Sequence, residues 1–436
     1  MKRPITIALL IVALLLVGAG ISTVILFSFQ GGFSNNNPFD SRNIASEVEE
    51  SKTLPIDTSK PISLKVVDAA GEVTVIGAEV EEVEVRVVKT AYDSTQARAD
   101  EEVKTIKYDV QQSGNIITLT YELPKSMNFS NNVNTVDFIV TVPNKTSVNV
   151  ETRFGDVSAD NLEGDVVIQN DFGEVRVLNI TGDVSVSSNG GTVTATSIKA
   201  GTGNIELNSE FGSITLEKAS GRNITLDTNS GSIDLNEVRA TSNLTANTQF
   251  GDVAFENGSA ASLSIENNGG AVSLLKLNVK NEIKVQDQFG NIKLNQALSS
   301  SYDLHTNSGA ITIDGAEGDL KAYTDFGNIE IANAESVTLD VKTNSGSILF
   351  SGLLGVGPHN IKTDFGGIDL SLSGDAKLDV DLKTDFGSIS SDIPITVTLN
   401  GDSTSEGGEI IGVINGGGDQ LTVQTSSGSI NIKAVK

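Results

Sequence analysis

Thr324-Asp-Phe-Gly-Asn-Ile-Glu-Ile331 is followed nineteen residues later by Thr343-Asn-Ser-Gly-Ser-Ile-Leu-Phe350. Both carry a threonine, a glycine three residues on, then an aliphatic residue two further. Outward from this pair the same glycine recurs as Gly155, Gly173, Gly191, Gly212, Gly231, Gly251, Gly270, Gly290, Gly309, Gly327, Gly346, Gly366, Gly387, Gly408 and Gly428, at spacings of 18 to 21. A fixed period of about 20 residues in strand-like sequence marks a solenoid, in which each repeat buries its apolar face against its neighbours.

Aligned on the glycine, position +2 is always Val or Ile, as in Val175, Ile292, Ile311 and Ile430. Upstream, positions −7 and −5 pair aliphatic residues, as in Ile205/Leu207, Ile224/Leu226 and Leu339/Val341. This alternation turns one strand face inward and the other outward. A third stripe at +7 (Leu162, Ile180, Ile198, Val238, Ala297, Leu353) places a small or aliphatic residue at a second corner. Each repeat therefore reads as strand, glycine corner, strand, corner.

The residue before the glycine alternates in size through Phe211, Ser230, Phe250, Gly269, Phe289, Ser308, Phe326, Ser345 and Phe365. Strand parity predicts that it points inward, each ring filling the gap above a small neighbour. Two geometries remain open: a coil of one repeat, or a coil of about 39 residues made of two. The fold class predicted is all-β, a right-handed parallel β-solenoid of about fifteen ~20-residue repeats, the handedness following from the general right-handedness of parallel crossovers.

Composition agrees: of 436 residues 43 are Gly, with no Trp and no Cys, so disulfides and thiolate metal sites are excluded. A net charge of −26 argues against nucleic-acid partners.

The chain divides on this reading into residues 1–4, a cytoplasmic N-terminus; 5–29, a transmembrane helix; 30–60, a polar linker; 61–147, a small mixed capping region; and 148–436, the solenoid. The run from Ile5 to Phe29 has no charge, and at about 1.5 Å per residue it is long enough to span a bilayer. Lys2 and Arg3 precede it and no cation follows until Arg42, which predicts a single-pass cell-membrane protein with its repeats outside or in the envelope space. A cleaved signal peptide is the competing reading, against which stand the run's length and its lack of an Ala-x-Ala end. Within 61–147, Gly71, Val73 and Val75 imitate one repeat, and Asp93-Ser-Thr-Gln96 opens a short helix reaching about Lys104. Strands are expected near 106–110, 116–121 and 136–142.

Val136-Asp-Phe-Ile-Val-Thr-Val-Pro143, then Val148-Asn-Val-Glu-Thr-Arg-Phe-Gly-Asp-Val157 and the glycine repeats, together resemble the bacterial putative-adhesin family of β-strand-repeat proteins, a domain family of unknown function. The resemblance covers roughly 61–436 and implies an envelope protein with a β-solenoid fold; it brings no catalytic residues. One departure is the segment 391–420, where Ser391 and Gly412 break the +4 stripe.

Asp-Phe-Gly at 171–173, 325–327, 364–366 and 385–387 lacks every other kinase element and reads as a corner. Asp171, Asp325, Asp364 and Asp385 are weak calcium candidates, because most of their repeats are not adjacent. The only histidines, His305 and His359, are too few for a two-histidine site, and His359 falls at an inward position beside Gly355–Pro358. Threonines at −3, such as Thr228, Thr306 and Thr324, suit hydrogen bonds from coil to coil. Thr192-Val-Thr-Ala-Thr196 alone has the spacing of an ice-binding array.

No residue is assigned a catalytic, cofactor-binding or metal-binding role, and no cofactor is expected. The function predicted is a membrane-anchored, non-enzymatic cell-surface adhesin or envelope-binding protein. Its expected partners are the membrane, through residues 5–29, and a cell-envelope glycan or surface protein. The alternative is a polysaccharide-cleaving β-helix enzyme, whose paired carboxylates would lie on one exposed face.

A stack of fifteen coils at about 4.8 Å per coil gives a body ~70 Å long. Small-angle scattering on residues 61–436 should therefore report a clearly elongated particle; a near-spherical monomer would indicate a sandwich of antiparallel hairpins instead.

Overall fold

The computed structural model describes residues 25–27, 43–123, 133–397 and 408–435. They fall into two compact units, Met1–Val157 and Ser158–Lys436.

In the first unit the alternating strand Glu82–Asp93 is central. It pairs antiparallel with Ile44–Pro55 on one side and Thr135–Pro143 on the other. Thr135–Pro143 also runs parallel to Val73–Ala78. Ile62–Asp68 lies parallel between Ile116–Tyr121 and Thr146–Phe154. The helix stands where the sequence predicts it, over Gln96–Glu102, with Thr95 as the cap whose Oγ1 accepts from the Arg98 N–H. Val103, just beyond it, buries against Val48 and Ala91.

The transmembrane helix predicted for residues 5–29 is corrected here. Ile25–Phe27 form a strand, antiparallel to Glu47–Glu49. Residues 5–24, 28 and 29 lie outside the described residues, and among the described residues no helix is long and apolar enough to cross a membrane. The single-pass topology, the membrane as a partner and the cell-membrane localisation rested on that helix and fall with it. Hydropathy reports the tendency to leave water, and a short Ile-Leu-Phe run suits a strand as well as a helix. The span 30–60 contains more than a polar linker, because Ile44–Pro55 is a twelve-residue strand with Val48 and Leu54 buried.

The second unit is a parallel β-solenoid. Through most of its length a strand pairs in register with its counterpart one repeat later: Ile205 with Ile224, Ile224 with Leu244, Ile292 with Ile311, Ile311 with Ile329. One repeat is therefore one coil, and the 39-residue alternative is excluded. The +2 column from Val175 to Ile368 is essentially inaccessible to solvent, as are Ile205, Leu207, Ile224 and Leu226 upstream. Leu353 departs from the +7 stripe and is exposed.

Two corners close each coil. At the glycine corner, an ideal Cβ on Gly231, Gly290 or Gly346 would overlap the carbonyl oxygen of Gly212, Gly270 or Gly327 in the preceding coil. Space, more than backbone freedom, reserves these positions for glycine. The second corner is turned by position +6 in the left-handed conformation, with φ of 53° at Asn179, 52° at Lys218, 57° at Glu237 and 51° at Asn333. Asparagine enters this region at lower cost than most residues, and Gly315 occupies it once, at φ 80°.

The order of coils differs from the order of the chain at one end. Asp419–Ser427 pairs parallel with His359–Phe365 on one side and with Leu378–Phe386 on the other. The last repeat thus lies between its two predecessors. Gly408–Ile414 then covers Leu378–Phe386 antiparallel, followed by Ile395–Val397. Gly408 is consequently no corner, and Ile410 sits opposite Leu382 in an antiparallel register, which accounts for the broken pattern of 391–420.

Ile292, flanked by Val272 and Ile311, is fully buried. Ile292→Asp should place a carboxylate among aliphatic side chains at a cost of several kcal/mol and lower the melting temperature sharply. Thr324→Ser, which keeps its hydroxyl, should be mild. Equal melting of both variants and wild type in a calorimeter would contradict the inward assignment.

Candidate functional site

Inside most glycine corners the −3 side chain points inward and donates a hydrogen bond to the glycine carbonyl of the preceding coil. Thr228 Oγ1 reaches Gly212 O at 2.9 Å, Thr306 reaches Gly290 at 3.0 Å, Thr324 reaches Gly309 at 3.0 Å and Thr363 reaches Gly346 at 2.9 Å. Ser209 does the same to Gly191 and Asn267 to Gly251. The coil-to-coil bonding expected of these threonines is present, with a backbone carbonyl as the acceptor.

Strand parity ends at this bond, and the chain then turns. The −1 residue therefore faces solvent, which corrects the inward placement predicted for it. Phe211 is 64% exposed, Phe250 65%, Phe289 66%, Phe326 67%, Phe365 66% and Phe386 64%. The large-small complementarity operates on the surface instead. Phe172 pairs with Gly190, where a Cβ would lie 3.1 Å from the ring's Cδ1, and Phe250 pairs with Gly269.

The row alternates without a break along the second unit: Phe172, Gly190, Phe211, Ser230, Phe250, Gly269, Phe289, Ser308, Phe326, Ser345, Phe365, Ser427, Phe386. In the sequence Phe365 and Phe386 fall in successive repeats. Insertion of Ser427 between them, paired to both, restores the alternation in space.

Beside this row runs a polar groove made by the outward −4 and −2 side chains. One part, about 520 Å³, is lined by Asn208, Glu210, Asp227, Asn229, Asn247 and Gln249 among others. A second part, about 330 Å³, continues through Glu266, Asn268, Gln286, Gln288, His305 and Asn307. Together they cross six coils, a length of about 24 Å. Carboxamides predominate and bond along the stack, Gln288 Nε2 to Asn268 Oδ1 at 3.0 Å and Asn247 Nδ2 to Asp227 Oδ1 at 2.5 Å. Glu210, Asp227 and Glu266 make the groove acidic.

Of the calcium candidates, Asp171 accepts from Asn189 Nδ2 at 2.9 Å and Asp325 from Asn344 Nδ2 at 2.5 Å. Among the described residues no group of acidic or histidine side chains is placed to hold a metal ion. The histidines are three coils apart. His305 faces outward, edge-on to Tyr323 with ring centroids 4.8 Å apart, and Lys342 Nζ lies 5.4 Å from the Tyr323 ring centroid. His359 is buried, its Nδ1 accepts the Leu339 N–H at 3.3 Å, and burial pushes its pKa down.

The sequence marked none of these residues as a site. A glycine-anchored alignment shows the −2 and −4 carboxamides, but only the broken parity at −1 reveals that the phenyl row borders them.

With fold and groove in view, the class is defined: a parallel β-solenoid built from strand repeats of about 20 residues. The chain belongs to the Toastrack DUF4097 family, which matches residues 62–261 and 255–433. Among solved structures it is similar to a putative cell adhesion protein from Clostridium sporogenes ATCC 15579, at 12% identity over 89% of this chain and 99% of that one, with a TM-score of 0.21. It is also similar to a putative adhesin from Bacteroides fragilis NCTC 9343, at 18% identity over 61% and 96% with a TM-score of 0.33. A third, a putative adhesin from Parabacteroides distasonis ATCC 8503, shares 12% identity over 65% and 97% with a TM-score of 0.34. No curated protein matches the chain.

One inward −3 position carries a carboxyl group. Asp287 stands where most coils have threonine; its Oδ1 accepts the Phe289 and Gly290 N–H groups at 3.1 Å each, and Oδ2 is buried without a partner. Burial raises its pKa. The folded state thus favours the neutral acid. Its contribution to stability is full below the ordinary carboxylate range and is lost as pH rises through that range toward the raised folded value. Asp287→Asn keeps an oxygen acceptor and cannot ionise, so its melting temperature relative to wild type should be higher at pH 8 than at pH 4; an offset independent of pH would refute this.

Proposed function

We propose that this protein is a non-enzymatic, adhesin-like binding module whose phenyl-bordered groove engages a cell-envelope glycan or a surface protein. One observation carries the reading: an exposed aromatic row runs beside a continuous channel of carboxamides over several coils. Such a surface combines apolar contact with groups that both donate and accept hydrogen bonds, the combination that fixes a polar ligand in place. Within the groove Gln288 bonds to Asn268 and Asn247 to Asp227, which holds these side chains in position before a ligand arrives.

A binding screen of the whole chain against polysaccharides, cell-wall fractions and envelope proteins tests it. Saturable retention is expected, with the polymer recovered at its original length. Release of new reducing ends would point instead to a polysaccharide-cleaving enzyme, and failure to retain any of these materials would remove the proposal.

A further inference from the structure

We propose that the row from Phe211 to Phe326 is a comb for one linear, uncharged or amino-bearing β-linked polysaccharide lying along the coil axis, with one phenyl ring for every two sugars. This rests on the binding role proposed above and specifies its ligand.

The scaffold itself does not require the rings. Ser230 and Ser308 occupy the same position in intervening coils, so a hydroxyl is compatible with the corner, yet every second coil exposes about two-thirds of a phenyl group. Regular exposed aromatic surface of this kind marks an interaction site.

The spacing defines the partner's periodicity. Rings recur every second coil, at about 10 Å, so a matching ligand is a polymer with a repeat of that length. Two pyranose units of an extended β-linked chain have this repeat, and the apolar C–H face of a sugar stacks on an aromatic ring while its hydroxyls point sideways. Those hydroxyls would meet the carboxamides of Asn229, Gln249, Asn268 and Gln288 at −2, each able to donate and accept. The six coil steps from Phe211 to Phe326 would hold about six sugars.

Charge narrows the class. Glu210, Asp227 and Glu266 line this stretch in a chain of net charge −26, which opposes uronic acid or phosphate polymers and a second copy of the chain. A neutral sugar meets no such opposition, and an amino sugar is attracted. Beyond Phe326 the face gains Lys342 and Lys362, so the comb is assigned to the stretch before them.

The test uses the full chain with soluble β-1,4-linked gluco- and N-acetylglucosamine oligosaccharides of increasing length, deacetylated glucosamine oligomers, and polygalacturonate, with affinity read by calorimetry. Binding should strengthen in steps of two sugars up to about six, as each pair reaches another ring. Polygalacturonate should bind weakly. The double variant Phe250→Ser/Phe289→Ser, which copies the native serines of neighbouring coils, should melt as wild type and lose about tenfold or more in affinity. The two-sugar step is measured on wild type, so it remains decisive even if that variant folds poorly. Equal affinity of a folded double variant, absence of the step, failure of all the neutral and amino oligomers to bind, or tight binding of polygalacturonate would each overturn the comb. Retention of other envelope material by wild type and double variant alike would sink the comb and leave the broader binding role standing.

Discussion

At most glycine corners a side chain one coil away, usually a threonine hydroxyl, donates a hydrogen bond to a carbonyl that the turn has removed from the strand ladder, and the second unit depends on this bond. A buried carbonyl without a partner costs roughly 1–3 kcal/mol, and the corner would present one in every coil. Thr306 to Gly290 and Thr324 to Gly309 show the solution at 3.0 Å each. The bond requires close approach of the coils, and close approach excludes a Cβ from the acceptor column. Glycine and threonine are thus two halves of one constraint. Asp287 does not supply this donor: Gly270 O accepts from Asn267 Nδ2 at 2.9 Å, while the Asp287 carboxyl accepts from the corner N–H groups of its own coil and burial raises its pKa.

The same bond explains the outward face. With the −3 side chain committed to the interior, the following residues are released from strand alternation, and −1 emerges on the surface beside −2. The phenyl row and the carboxamide groove are therefore products of the corner geometry, repeated at each step of the stack. A ligand surface built this way is as regular as the coil spacing, because the hydrogen-bond ladder holds that spacing constant.

Much of the solenoid is legible in the sequence because its causes are local and repeated. Gly231, Ile233 and Leu235 follow the same spacing as Gly290, Ile292 and Leu294, and all four aliphatic residues are buried. The failures lie where local pattern and three-dimensional neighbours part company. Parity places Phe250 inside only by being carried across a turn that breaks it. Asn179 and Lys218 turn the second corner, but residues so unlike each other give no common signal, since what they share is a backbone angle. Ile25–Phe27 resembles the end of a membrane helix because apolar composition does not distinguish a strand from a helix. The candidate groove shows in the sequence only as separate polar positions, since its walls come from six different coils. The position of Ser427 between Phe365 and Phe386 is a long-range choice, hinted at only by two phenylalanines in succession.

That insertion has a consequence for how the molecule is assembled. A solenoid whose coils follow chain order can lengthen progressively as it leaves the ribosome, each new turn docking on the one before. Here Leu378–Phe386 is synthesised before the strand it must dock on, Asp419–Ser427. Both of its partner strands come later in the chain, so it has to wait with its edges unpaired while some forty further residues are made. Completion of this end is therefore a single closing event, in which two turns lock together and the antiparallel strand Gly408–Ile414 seals the outer edge. A chain interrupted before Asp419 would forfeit the docking of two turns for the loss of one.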